Sequence, residues 1–170
     1  VGGDTVSGIL ATGLAESTVT TLFVDIGTNG EIVLFVNGQL TAASTAAGPA
    51  FEGARISQGM RGTTGAIEKV LFEDRLHLHV VGNVAPAGLC GSALIDLAAV
   101  LLQHGVLSVE GRLPTPESLP STVPDDLRQR VINRGRETAF VLAETSETAI
   151  GRPILVTQRD FRELQLASGA

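Results

Sequence analysis

Thiols, lysines and aromatic rings are all scarce in this chain, and each scarcity removes a class of function. Cys90 is the only cysteine among 170 residues. A lone thiol forms no internal disulfide and cannot by itself supply a four-thiolate iron–sulfur site, so Cys90 reads as a small core residue and the reducing cytoplasm as the compartment. Lys69 is the only lysine, beside eleven arginines. No G-x-x-x-x-G-K-[ST] surrounds it, which removes the P-loop as a route to a phosphate site. Aromatic residues make up 4% of the chain and no basic cluster gathers around them. With a net charge of −6 spread along the sequence, nucleic acid is not expected as a partner. No apolar run reaches the ~18 residues of a membrane span, and the start has neither a basic segment nor a signal-type apolar core, so no membrane association is expected. The chain begins with Val1 and ends inside a helical pattern, and we expect it to be a piece of a longer protein.

What is present suffices for a sizeable core: 44% of the residues are hydrophobic, and we read 1–170 as a single domain. Its organising stretch runs from Leu22 to Phe35, an apolar run ending in Asp25, the turn Gly27-Thr28-Asn29-Gly30, then a second apolar run from Glu31. Two such runs around Asn29-Gly30 predict an antiparallel hairpin. Backbone N–H groups converging in such a turn can receive phosphate oxygens, with Thr28 adding a hydroxyl and Gly27 and Gly30 allowing close approach. Asp25 at the strand end can hold Mg²⁺ through water. A hairpin in which Asp25 only caps the turn fits the same residues.

The neighbouring segments supply the rest of an α/β pattern. Asp4 is placed to cap a helix over Thr5–Ala15, with Ile9, Leu10 and Leu14 on its apolar face. Asn37-Gly38 predicts a second tight hairpin, so strands near 21–26, 31–36 and 39–44 form a three-stranded antiparallel meander. Pro49 stands at an expected first helical position, predicting a helix over 49–58 with Glu52 as a partner of its dipole. Ile67–Glu73 and Leu76–Val81 read as a hairpin around Asp74-Arg75; His77 and His79 share one face and are taken as ordinary surface histidines. Gly88-Leu89-Cys90-Gly91-Ser92 leads into a helix to about Gln103, capped by Ser92 or open there to an anion. Its apolar residues on nearly all sides imply burial between layers. Residues 111–137 form a Pro-rich connection or insertion, expected to be irregular and exposed with a short helix near Asp125–Asn133. Phe140–Glu144 and Ile154–Val156 read as strands, and Thr157-Gln158-Arg159-Asp160 has the spacing of a capping box that starts the last helix.

Several of these stretches, in this order, carry a resemblance: Asp25 to Glu31, Ser44 to Ala54, Gly59-Met60-Arg61, Gly88 to Ser92 with Ile95-Asp96, and Thr157 to Asp160 with Arg162 to Ala167. Together they resemble the C-terminal region of the reductive activators of corrinoid-dependent enzymes. That region is similar to the acetate and sugar kinase, Hsc70 and actin (ASKHA) superfamily, whose two ribonuclease-H-like lobes close on ATP. The resemblance implies an α/β, actin-like ATPase lobe: a mixed sheet with the three-stranded meander and flanking helices, most of the second lobe of a longer protein. It implies ATP and Mg²⁺ as cofactors, with phosphate binding at Asp25, Gly27, Thr28, Asn29, Gly30 and Glu31, and Asp25 as the catalytic acid. It implies an N-terminal [2Fe–2S] ferredoxin domain outside this chain, and a corrinoid protein or methyltransferase as partner. Electrons from the cluster, driven by ATP, would reduce Co(II) to Co(I). The adenosine motif of such lobes is expected after Ala170, so the chain alone should bind Mg–ATP weakly and be inactive. The alternative is a non-catalytic module of the same fold that docks a corrinoid protein or forms a homodimer.

Overall fold

A computed structural model describes residues 2–170. Helix α1 (Gly3–Thr12) begins earlier than Asp4 as a cap would allow: Gly2 occupies the cap position and Asp4 lies in the first turn, where its charge faces the positive end of the helix dipole. The predicted run to Ala15 breaks at Gly13, whose left-handed conformation (φ 63°) lets its N–H reach back to the carbonyls of Ile9 and Leu10. A single 3₁₀ turn follows at Leu14–Glu16.

Strands β1 (Thr21–Ile26), β2 (Gly30–Val36) and β3 (Gln39–Thr45) form the expected antiparallel meander in the order β1-β2-β3. Asn37 and Gly38 both take positive φ, 49° and 79°, the conformation that matches a two-residue turn to the strand twist. One face of this sheet packs on α1, where Gly8 accepts the ring of Phe23 and Leu14, Val33 and Phe35 are buried. The other face carries Leu22, Val24, Ile26, Ile32 and Leu34, all exposed.

The helix predicted over 49–58 is absent. That segment is a run of tight turns in which Ala54 N–H donates to the Pro49 carbonyl and Gly53 N–H to Ala50. Gly53 and Arg55 have φ of 79° and 66°, incompatible with a right-handed helix. A Cβ on Gly53 would lie 2.7 Å from the Met60 carbonyl oxygen. Packing of the segment back on itself therefore overrides the local helix signals of Pro49 and Glu52.

A second sheet pairs β4 (Ala66–Phe72) with β5 (Leu76–Val80) antiparallel and with the short β6 (Gly88–Leu89) parallel. The mixed pairing thus belongs to this sheet and not to the one holding the meander. Helix α2 (Gly91–Gln103) covers it; Cys90 rather than Ser92 takes the cap position, while the Ser92 hydroxyl donates to the Glu68 carbonyl. The Asp96 carboxylate accepts the Val70 N–H at 3.1 Å, satisfying a donor of β4 beyond the reach of β6. His77 is half-buried and His79 exposed.

A third sheet, β7-β8-β9 (Val131–Arg134, Glu137–Ala143, Ile154–Thr157), is antiparallel throughout. Helix α3 (Asp125–Gln129) precedes it, so the predicted helix near Asp125–Asn133 ends early and its second half is strand. Residues 111–124 are irregular as expected, but they are not wholly exposed: Leu113, Leu119 and Val123, followed by Leu127 and Val131, enter the main core beside Leu94, Leu97 and Phe140. Helix α4 (Gln158–Gly169) starts at the predicted capping box. Asp160 is fully buried there, accepting N–H groups of Thr157 and Ser57, each at 2.7 Å, and so ties the 49–60 segment to the helix. No helix among the described residues is long and apolar enough to cross a membrane.

Candidate functional site

The turn between β1 and β2 is held from within and from behind. Gly27 N–H donates to the Asn29 carbonyl at 3.2 Å, and Gly48 N–H donates to the Thr28 carbonyl at 2.8 Å. The segment after β3 therefore folds back onto the turn. It brings Glu52 with it: the Glu52 carboxylate accepts the Thr28 N–H at 2.8 Å and the Thr28 hydroxyl at 2.6 and 2.7 Å. Two of the donors expected to face a phosphate are thus engaged by an acid 24 residues away in sequence. Glu52 is not a helix-dipole partner, since no helix forms there; sequence reasoning missed its place at the turn. The flanking Gly48 and Gly53, whose φ values of 78° and 79° permit the return of the chain, were the available signal. Gly30 is closely packed as well: a Cβ there would stand 3.0 Å from the Thr45 methyl, which would have to yield by a few tenths of an ångström.

Asp25 and Glu31 are direct partners in the β1–β2 register. Opposed residues of an antiparallel pair project from the same face with Cβ atoms about 4.5–5.5 Å apart, and like charges so placed repel. Both side chains are half-buried, and Ser44 donates a long 3.4 Å bond to Glu31. A divalent cation between the two carboxylates would relieve the repulsion. No cluster of three His, Cys, Asp or Glu side chains able to hold a metal occurs among the described residues. The structure brings Asp25, Gly27, Thr28, Asn29, Gly30 and Glu31 into one turn with its two flanking strand ends.

Beside the turn an apolar groove of about 530 Å³ separates the exposed face of the meander from α2 and α4. Val24, Ile26 and Ile32 form one wall and Ile95, Leu102 and Leu164 the other, with Phe51 between them. Helix α2 is consequently not enclosed on all sides as its composition suggested: Ile95 and Leu102 remain 45% and 43% exposed. Asp25 and Gly30 also border it, so the groove is a mainly hydrophobic surface continuous with the turn. Cys90 lies elsewhere, half-buried, its thiol donating to the Ile67 carbonyl.

The sequence profile of the C-terminal domain of RACo, the ASKHA domain, matches residues 19–170. The chain belongs to this family. Membership brings the actin-like α/β fold with mixed sheets. Among the RACo-type relatives, corrinoid activation enzyme RamQ of Eubacterium limosum is 38% identical over 172 residues, spanning all of this chain and 28% of RamQ. The [Co(II) methylated amine-specific corrinoid protein] reductase of Methanosarcina barkeri is 40% identical over 193 residues, covering all of this chain and 36% of the reductase. A solved structure, that of a reductive activator for corrinoid,iron-sulfur protein, superposes with a TM-score of 0.81 at 41% identity over 96% of this chain and 25% of its own. The chain thus spans between a quarter and about a third of the length of these relatives. The match begins at residue 19, leaving α1 outside it.

Proposed function

We propose that the chain is one domain of an ATP-dependent reductive activator of a corrinoid protein, most of the second lobe of its ATP-binding unit. The observation that carries this reading is the opposed pair Asp25 and Glu31 beside an amide-bearing turn, in a family whose named relatives act on corrinoid proteins. In this reading Thr28, Asn29 and Gly30 present donors to ATP phosphates, and Gly27, whose N–H is engaged by the Asn29 carbonyl, shapes the turn and leaves room for close approach. Asp25, with Glu31 beside it, would hold Mg²⁺ through water, and the ion would supply charge neutralisation to the phosphates. Closure of the two lobes would exclude water and couple hydrolysis to the uphill step, Co(II) to Co(I). The electron would come from a [2Fe–2S] ferredoxin domain elsewhere in the protein, and Cys90, a lone thiol bonded to a backbone carbonyl, takes no part in it. The substrate is a corrinoid protein, alone or within a methyltransferase.

The test is Mg–ATP-dependent formation of Co(I), followed by visible absorption in the full-length protein with its corrinoid partner. Asp25→Ala should lower the rate about a hundredfold or more, the loss expected when a metal's contribution of several kcal/mol is removed. The thermal midpoint should stay unchanged, because Asp25 is half-buried and outside the buried cores. Normal turnover would return Asp25 to the role of a turn cap. A second reading, a docking or dimerisation module, draws on the groove beside the turn. It requires that partner binding persist unchanged in the Asp25→Ala protein with and without Mg–ATP.

A further inference from the structure

Glu52 has no part in the proposed function, yet it makes the closest contacts in the turn. Its two oxygens take the Thr28 N–H and hydroxyl at 2.6 to 2.8 Å, lengths typical of charge-assisted bonds. One oxygen lies 3.8 Å from the position a Gly27 Cβ would occupy, so the carboxylate stands over the glycine that permits close approach to the turn. No cation balances it: among the described residues the ion pair is between Arg130 and Asp126. Glu52 is also exposed, so its side chain can rotate away without disturbing the buried core.

We infer that Glu52 occupies the phosphate seat of the turn when no nucleotide is present and must be displaced for a phosphate to enter. The inference rests on the phosphate-binding reading above. A carboxylate and a phosphate oxygen compete for the same two Thr28 donors and repel one another at this range. The carboxylate thereby satisfies the turn's donors in the empty protein and opposes non-productive anions. The Pro49–Gly53 turns keep their own backbone bonds when the carboxylate leaves, so the displacement is confined to the side chain.

Calorimetric titration of the full-length protein with Mg–ATP, and separately with inorganic phosphate, tests this. Glu52→Gln keeps an oxygen to accept from Thr28 but removes the charge; its Kd for both ligands should fall about tenfold, the factor equivalent to ~1.4 kcal/mol. Glu52→Ala, which empties the seat, should also bind more tightly than the wild type. A merely structural carboxylate predicts the opposite sign, because loss of its bonds would loosen the turn. Unchanged or weaker binding in both variants, with the wild type binding normally, would overturn the inference and leave the phosphate reading standing. Absence of binding in all three proteins would overturn both.

Discussion

The meander and the body of the molecule are built from similar apolar strands but packed very differently. In the body a single core runs from Ile56 through Leu94, Leu97 and Phe140 to Phe161, and it draws on both larger helices and on strands of two sheets. In the meander the buried core comes down to Leu14, Val33 and Phe35 on one face, while the other face leaves Leu22, Val24, Ile26, Ile32 and Leu34 exposed. The candidate site sits on the lightly packed part. Elements that must open for a ligand are drawn from the low-stability end of a structure, and a turn whose donors are held by a displaceable side chain fits that pattern. The body serves as the scaffold against which the segment carrying Glu52 is fixed, through Asp160 at Ser57 and through Gln58, whose amide bonds Pro153 and Leu155 of the third sheet's edge.

The contrast can be broken by two substitutions in the full-length protein, measured by urea unfolding. Phe140→Ala, in a fully buried site of β8, should destabilise by about 3–5 kcal/mol, the range for deleting a buried aromatic ring. Val24→Ala, 48% exposed on the open face of β1, should cost less than about 0.5 kcal/mol, as exposed substitutions do. A Val24→Ala cost near 2 kcal/mol would show that another part of the protein covers this face, and the two regions would then be alike. A small effect at Phe140 would mean that the body's core is not the scaffold described.

The same contrast explains what the sequence made legible. Alternating apolar residues and Asn37-Gly38 are local signals, and they located the three strands and the register of β2 with β3; Thr157 and Asp160 likewise located the start of α4. The first turn, expected at Asn29-Gly30 with positive φ, instead spans Gly27 to Asn29, with Ile26 opposite Gly30 and neither Asn29 nor Gly30 at positive φ. The turns after Pro49 were not legible, because the residues that prevent a helix there act through Gly53 against Met60 and through Gly91, where a Cβ would run into the Phe51 carbonyl. Those contacts are tertiary. The burial within 111–124 was missed for a related reason: Leu119, Val123 and Leu127 are four apart, but Pro120 and Pro124 between them rule out one continuous helix, so the spacing did not point to a buried face. The composition of α2 showed that it was apolar but not which side lacked a neighbour. Of the candidate site, the acid and glycine turn could be read directly. Its pairing of Asp25 with Glu31 came with the three-residue turn that replaced the expected Asn29-Gly30 one, and the reach of Glu52 to Thr28 depended on the unforeseen fold of the intervening segment.

The central claim is that the turn between β1 and β2 receives phosphates. Hydrogen exchange at residues 25–31 of the full-length protein, with and without saturating Mg–ATP, tests it most directly. Amide groups that take up phosphate oxygens exchange more slowly, so the account predicts new protection at Asn29 and Gly30 on adding Mg–ATP, little change at Thr28, whose N–H is already held by Glu52, and no protection on adding Mg²⁺ alone. It predicts the loss of that protection in Asp25→Ala. Exchange that is unchanged at these amides under nucleotide saturation, with protection appearing elsewhere in the protein, would contradict it.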